Sequence, residues 1–579
     1  MGGRGYLGLR ILSQPPALLN SSGQVISPLT IARIRDGGRR GRMTGSLGGV
    51  NQNFFPYDAA DWTSQELGGW YPQVRSPDSE INIHRDRIAG RARDLRRNDP
   101  WASGAINRIL DSTIGASYRF VSKPDYRALR LYARGFDAVW ANEYRQALEA
   151  LWRTYSEDLG HYNDVNRRLT ISQQFRLALG HKLVDGESLI VAQWREDRIA
   201  PGAATYATCF EGIDPDRLSN PHMGPDTRYM RNGVQLDDDR VHVAYHIRKA
   251  HQFDWYNATE SMEWEAVARE DPDGWRRVYH DYDADRFGQN RGVSIFAPAL
   301  RSLKMLAKLY GTKLQAENVA AAFGLYVTSP YDFEMVRQAL DSEDDDEAAF
   351  GWYQDMRSEF HSERDLNVNG VRLSTLAPGE DIKSVAPGGG QQDITPFAHE
   401  MLRGFSVALG TSAEEVHNDY SDSSWSAARA GIVQSEKTYN RRCDEFDINT
   451  ASPMIATWLE EPFERNELPL PRNAPSYLEM RTAYARGRWL GVARGWVDPV
   501  AERQGVVLGL DAGLSTLEEE SAKQGLDWEE TLEQRSIEFH RMEELGLPRP
   551  QWFGNDQTAS EVAQKPDKPS ARAMRGQLS

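Results

Sequence analysis

Cysteine is nearly missing from this chain: Cys209 and Cys443 are the only two among 579 residues. Two thiols cannot build a disulfide framework or a thiolate metal cage, and they fit a reducing compartment. Long apolar runs are missing too. No stretch approaches the ~18 consecutive apolar residues that would span a bilayer. The N-terminus carries charges but no apolar signal core, so neither a membrane span nor secretion is expected. Catalytic signatures are absent as well. There is no Gly-x-x-x-x-Gly-Lys-Ser/Thr phosphate loop, no His-Glu-x-x-His and no Gly-x-Ser-x-Gly. Carboxylates are plentiful, yet no pair stands out as general acid and base. These absences predict a protein with no active site, cofactor or metal. Positive charge is in deficit: 68 Lys and Arg face 84 Asp and Glu, for a formal charge of −16. Such a balance suits plain solubility. The sharper alternative is an acidic surface past which DNA slides without being held through counterion release.

What is present divides the chain. Its length exceeds one hydrophobic core and predicts three or four domains. Residues 1–42 hold seven Arg against one Asp and no hydrophobic period, so 1–45 is expected to be a disordered basic arm. Gly37 to Arg42 precede Met43, and purine-rich codons there would mimic a ribosome-binding site, which makes Met43 an alternative start. Gly3 to Gly8 match the dinucleotide fingerprint in letters only, because no strand precedes them.

From residue 85 the pattern turns helical. Asn98 or Asp99 caps a helix with Pro100 at its first position, and Ala105, Ile106, Ile109 and Leu110 share its apolar face. The arginines of 85–97 fit a solvated face or a nucleic-acid contact. Helices near Tyr144–Tyr155 and Ile171–Leu183 precede strands in DGESLIVAQW and TYATCFEGID. NGVQLDDDRVHVAYHIRK reads as a hairpin, with Val241, Val243, Tyr245 and Ile247 on one face and His242 and His246 on the other. Two His so placed could hold a metal; no third ligand has matching spacing, which favours an exposed strand face. A long helix follows, with a stripe of Leu300, Leu303, Leu306, Tyr310 and Leu314 beside Arg301, Lys304 and Lys308. The acidic run at 341–347 lacks a calcium-loop pattern. Two short strands bounded by Pro-Gly turns lead to a flexible joint at Pro387–Gly390.

A helix from Pro396 to about Leu409 is stopped by Gly410. After it, His417, Asn418, Asp419, Tyr420, Ser421 and Asp422 are polar or small, with no apolar period to bury. They predict a loop, either plain solvent or one that touches passing DNA through hydroxyls and amides. Another long helix runs to about Trp458, kinked or divided by Pro453. Residues 493–534 read as two short helices. Asp498-Pro499 starts the first; Ser515 or Thr516 caps the second, with Glu518, Glu519 and Glu520 in its first turn. After Pro550 a polar tail is expected to be disordered.

Four collinear blocks carry a resemblance: RARDLRRNDPWASGAINRILDSTIG; DGESLIV with EGIDPDRLSNP; NRGVSIFAPALRSLKML; and LRGFSVALGTSAEEVHNDYSDSSWSAARA joined to the 493–534 segment. They resemble the lambda family of phage portal proteins over most of 85–540. The resemblance implies an α+β portal-type fold assembled as a ring, usually of twelve identical subunits, at one capsid vertex. DNA would enter and later leave through that ring. The implied parts are a mixed α/β wing at 46–330, stem and clip at 331–410, a tunnel loop at 411–425, a long wing helix at 426–480 and a helical crown at 481–548, with the tail at 549–579. Implied partners are identical copies, the terminase large subunit, the major capsid protein, head-tail connector proteins and double-stranded DNA, with no membrane. The implied place is the virion, after assembly in the host cytoplasm. The competing readings are another capsid or tail structural protein, or a packaging nuclease or ATPase subunit.

Overall fold

Two proline-started helices come first among the described elements. The computed structural model describes residues 69–116, 118–323, 326–328, 366–368, 371–373, 381–383, 394–421, 424–492 and 499–547, with single residues between 352 and 359. The basic arm, Met43, the acidic run, the Pro387–Gly390 joint, Asp422, Asp498 and the tail after Pro550 lie outside the described residues. Residues from Arg75 onward form one unit. Of the unit before it, only 69–74 are described, and they are exposed.

Helix α1 spans Pro77–Asn98 and α2 spans Pro100–Thr113. Asp99, not Asn98, caps α2: its carboxylate accepts the Ala102 N–H at 2.9 Å, satisfying one of the orphan donors of the first turn. Ala105, Ile106, Ile109 and Leu110 are buried together, as their spacing predicts. Strand β1 (Arg119–Ser122) leads to α3 (Ala138–Ser156) and α4 (Ile171–Asp185). Gly186 ends α4 at φ 94°. A Cβ there would also fall 2.4 Å from the Val293 backbone, so both the turn and the close approach need glycine.

Two antiparallel sheets follow. The first has the order β3-β2-β8, from β2 (Glu187–Trp194), β3 (Thr208–Ile213) and β8 (Val278–Tyr282). The second runs β4-β5-β6-β7, from Met230–Arg231, Val234–Leu236, His242–Arg248 and Trp264–Ala268. They share a small core that includes Leu189, Val191, Val234, Tyr245 and Ile247. The hairpin at 234–248 is present, but its inner face differs from the alternation. Tyr245 and Ile247 are buried, whereas Val241 and Val243 are 47% and 37% exposed. A register shift between Gln235 and Leu236 interrupts the pleat at that point.

Helix α5 spans Leu300–Phe323. Beyond it are β9 (Tyr326–Thr328), β10 (Leu366–Val368), β11 (Val371–Leu373) and β12 (Asp381–Lys383). Both strands expected between 369 and 390 are there. Each pairs elsewhere: β11 with β10, and β12 with β9.

Helix α6 (Thr395–Leu409) ends at Gly410, φ 69°. A short α7 (Ala413–His417) precedes α8 (Trp425–Phe446). Asp447–Ala451 form a π-helical turn, and α9 continues from Ser452 to Glu464. Proline lacks an N–H and crowds the carbonyl four residues back. The wider turn before Pro453 takes up that misfit, so the backbone is still helical at Ser452 (φ −67°, ψ −40°). Asn449 in this turn donates to Asp281 of β8 at 2.9 Å. After α10 (Tyr477–Tyr484), β13 (Gly487–Leu490) pairs antiparallel with β1, Arg119 opposite Leu490. That pairing brings the end of the core back to its start. Trp458 packs there between Trp152 and Tyr155, ring centroids 5.0 and 5.1 Å away. Helices α11 (Pro499–Asp511), α12 (Leu517–Lys523) and α13 (Trp528–Glu544) follow. Thr516, rather than Ser515, caps α12 in a capping box with Glu519.

Candidate functional site

The segment between α6 and α8 starts from a forced turn. A Cβ on Gly410 would meet Thr438 Cγ2 at 3.0 Å, so the left-handed glycine also lets α6 approach α8. Ser412 then caps α7 in a capping box with Glu415, and its own N–H donates to Ser435 Oγ of α8 at 2.9 Å. Glu415 is buried and accepts the Tyr439 hydroxyl at 3.3 Å. Burial, and then the Glu415 charge, push the Tyr439 phenol above its ordinary range.

His417 is the last residue of α7. Its ring stacks on His399 of α6 with centroids 5.4 Å apart. It also meets the edge of Trp101 from α2 at 5.6 Å. Burial lowers its pKa, and the neighbouring His399 lowers it further. Asn418 turns left-handed at φ 54° and accepts from Arg108 at 3.4 Å. Asp419 is exposed and accepts both the Ser421 hydroxyl at 2.7 Å and its N–H at 3.0 Å. Those bonds hold its carboxyl below the usual range. Tyr420 is 37% exposed and Ser421 is exposed. The expected plain loop is therefore corrected in its first half. Residues 413–417 are a docked helical turn anchored by His417, and Asn418–Ser421 stand at the surface. The signal was in the chain, as Ser412-x-x-Glu415 is a capping-box pattern.

Arg87, Arg91 and Arg97 of α1 are exposed, as a solvated face expects, but Arg85 and Arg93 turn into ion-pair clusters. Glu187, fully buried at the start of β2, accepts Arg85 at 2.8 Å and Arg291 Nε at 2.9 Å on both oxygens. The Gly292 N–H at 3.0 Å and His280 Nε2 at 3.2 Å complete the cage. Burial alone would push this carboxyl up; Arg291, then Arg85 and His280, hold it well below the usual range. Arg93 bonds Asp185 at 2.6 Å, Asp214 at 2.7 Å and also Asp216. His181, Asp185 and Asp214 bring ligand atoms within 4.8 Å of one another, a spacing that could take a cation. The Arg93 guanidinium already supplies positive charge at that spot. The His pair on β6 does not converge. His242 meets Asn290 at 2.8 Å and the Tyr245 hydroxyl at 3.1 Å, while His246 meets Gln235 at 3.1 Å. Both rings are half-buried rather than exposed.

The stripe on α5 divides along its length. Leu303 and Leu306 are buried, but Tyr310 is 40% and Leu314 63% exposed. The second half of the apolar stripe is thus exposed.

Residues 63–442 match the model of "Phage portal protein, lambda family". The chain is 29% identical to the portal protein of Escherichia phage N15 over 491 residues, covering 84% of this chain and 90% of that one. It is 28% identical to portal protein B of Escherichia phage lambda with the same coverage. A probable portal protein of Halomonas phage phiHAP-1 is 23% identical, over 83% of this chain and 86% of that one. Among solved structures, a chain in the neck of a native GTA particle computed with C12 symmetry matches at TM-score 0.37 and 13% identity, covering 80% of this chain and 97% of that chain. A chain in the neck of an empty GTA particle computed with C6 symmetry matches at TM-score 0.40 and 13% identity, covering 75% and 93%. The chain belongs to the lambda family of phage portal proteins.

Proposed function

We infer that this chain is the portal at one capsid vertex, a structural part of the virion and not an enzyme, through which DNA is packaged and ejected. The observation that carries the reading is the match over 491 residues to the N15 and lambda portal proteins. Copies close into a ring of twelve through interfaces that repeat by rotation. The uncovered half of the α5 stripe supports such a contact, since a neighbour would bury Tyr310 and Leu314. The ring docks the terminase large subunit, and later the head-tail connector proteins, within a shell of major capsid protein. It assembles in the host cytoplasm. In this reading 46–330 and 426–480 make the wing, 331–410 the stem and clip, and 481–548 the crown.

Residues 411–425 form the tunnel loop. What supports this is chemistry without grip. Asn418, Asp419, Tyr420 and Ser421 offer an amide, a carboxylate and hydroxyls at the surface, and no Lys or Arg among them would neutralise a phosphate and hold it. His417 anchors the segment from behind. Replacing 418–422 by a glycine-serine stretch of equal length, with His417 kept, tests it. The expected result is an intact ring with impaired DNA packaging or retention. Normal packaging would remove the tunnel role, and loss of the ring would make the segment structural.

A further inference from the structure

The C-terminal helices attach to the rest of the chain in an unusual way. Across 499–547 the only buried residue is Asp527, a carboxylate. Many of their apolar side chains face outward, with Leu508 68% exposed, Leu514 85%, Leu526 51% and Ile537 63%, while Val506, Leu510 and Trp528 are part-buried. Helices of this length are marginal in water without packing. A row of ion pairs joins them to the core. Arg145 of α3 pairs with Asp527 at 3.4 Å and also with Glu529. Arg153 of α3 pairs with Glu530, and Arg119 of β1 reaches the same residue at 3.4 Å. Lys123, just after β1, pairs with Glu518 of α12. Arg429 of α8 reaches Glu502 of α11 at 3.5 Å. In each of these pairs the basic partner lies on the core and the acidic one on the arm. Behind this row, Glu149 of α3 accepts the Ser122 N–H at 2.8 Å, so a further carboxylate faces the acidic helices.

We propose that α11–α13 form a charge-latched arm that docks on the β1–α3 surface and can leave it as a unit, with Arg119, Lys123, Arg145 and Arg153 as the latch. The latch is a row of one sign against a row of the other. It responds to ionic strength, whereas an apolar joint would not. Outward apolar residues stay available to a neighbour in either position of the arm.

Hydrogen-deuterium exchange on the purified full chain, as it assembles, tests this. Salt is raised from about 0.1 to about 1 M, which shortens the screening length from ~10 to ~3 Å. Exchange in 517–544 should rise about tenfold, the effect of losing the exposed Arg119, Lys123 and Arg153 pairs together. Helix α2, whose face is apolar, serves as the internal control and should not change. The double variant Arg119→Glu/Arg153→Glu, at two positions 44% and 51% exposed, should reproduce the rise at low salt. Adding Glu530→Arg should reverse it. Exchange in 517–544 that ignores salt or ignores the double variant overturns the latch. So does a rise shared by α2, or a failure of Glu530→Arg to reverse the effect.

Discussion

Glu187 shows how much a single side chain can carry. Its carboxylate is the shared counter-charge of Arg85 and Arg291, both buried. Glu187→Gln keeps the shape, strands the Arg291 guanidinium and leaves Arg85 only Asp86 at 3.3 Å, which should cost about 3–5 kcal/mol. Thermal unfolding of the variant checks this, with exposed Asp197→Asn as control. A shift no larger than the control's would show that the cage contributes little. The pH dependence has a definite sign. A depressed carboxyl contributes stability that is full above its unfolded value of 4.5 and is lost as pH falls through the folded value. Glu187→Gln should therefore flatten the acid limb of the stability profile. Glu149 has the opposite sign. Burial pushes it up, the Ser122 N–H and Arg145 pull it down, Asp527 and Glu530 push it up again, and the balance lies at about 7. Its contribution is present below 4.5 and lost as pH rises from 4.5 through about 7. Glu149→Gln should thus raise the melting temperature near about pH 8 and leave it nearly unchanged near about pH 5. Equal effects at both values would contradict the buried-carboxylate account.

At the level of elements, the ends of helices follow local chemistry. Gly410→Ala should destabilise the α6–α7 turn, because the residue needs both φ 69° and the space beside Thr438. A loss of about 1 kcal/mol or more is expected in chemical denaturation. A neutral substitution would show that the turn has room to relax. That stop, the Asp99-Pro100 start and the buried face of α2 were readable in the chain because cap, proline and periodicity all lie within a few residues. Partnerships across distance were not. Nothing near 381–383 says that β12 pairs with 326–328 rather than with β11. Arg85 and Arg93 look like surface arginines until Glu187, Asp185, Asp214 and Asp216 arrive from about a hundred residues away in the chain. The inward alternation of β6 failed at Val243 because a register shift is invisible to a period of two. In the candidate tunnel segment, polarity hid His417, whose stacking on His399 no spacing rule indicates.

For the whole molecule, the proposed ring makes one chain a part of a larger object. Its α5 stripe begins in the core at Leu303 and Leu306 and ends exposed at Tyr310 and Leu314, where the proposed contact between copies would lie. Leu314→Asp should leave the subunit folded by circular dichroism and shift the population from ring to free subunit in size-exclusion chromatography. An unchanged elution profile would place the contact elsewhere. The charge of −16 per chain adds up around a ring and suits a conduit that lets phosphate pass. Family membership and the surface chemistry of 418–421 lead to one central claim, that copies of this chain close around DNA. Native mass measurement of the purified full chain at micromolar concentration, in several salts, tests it most directly. A closed ring of twelve subunits is the predicted result. A stable monomer or dimer in every condition would contradict it.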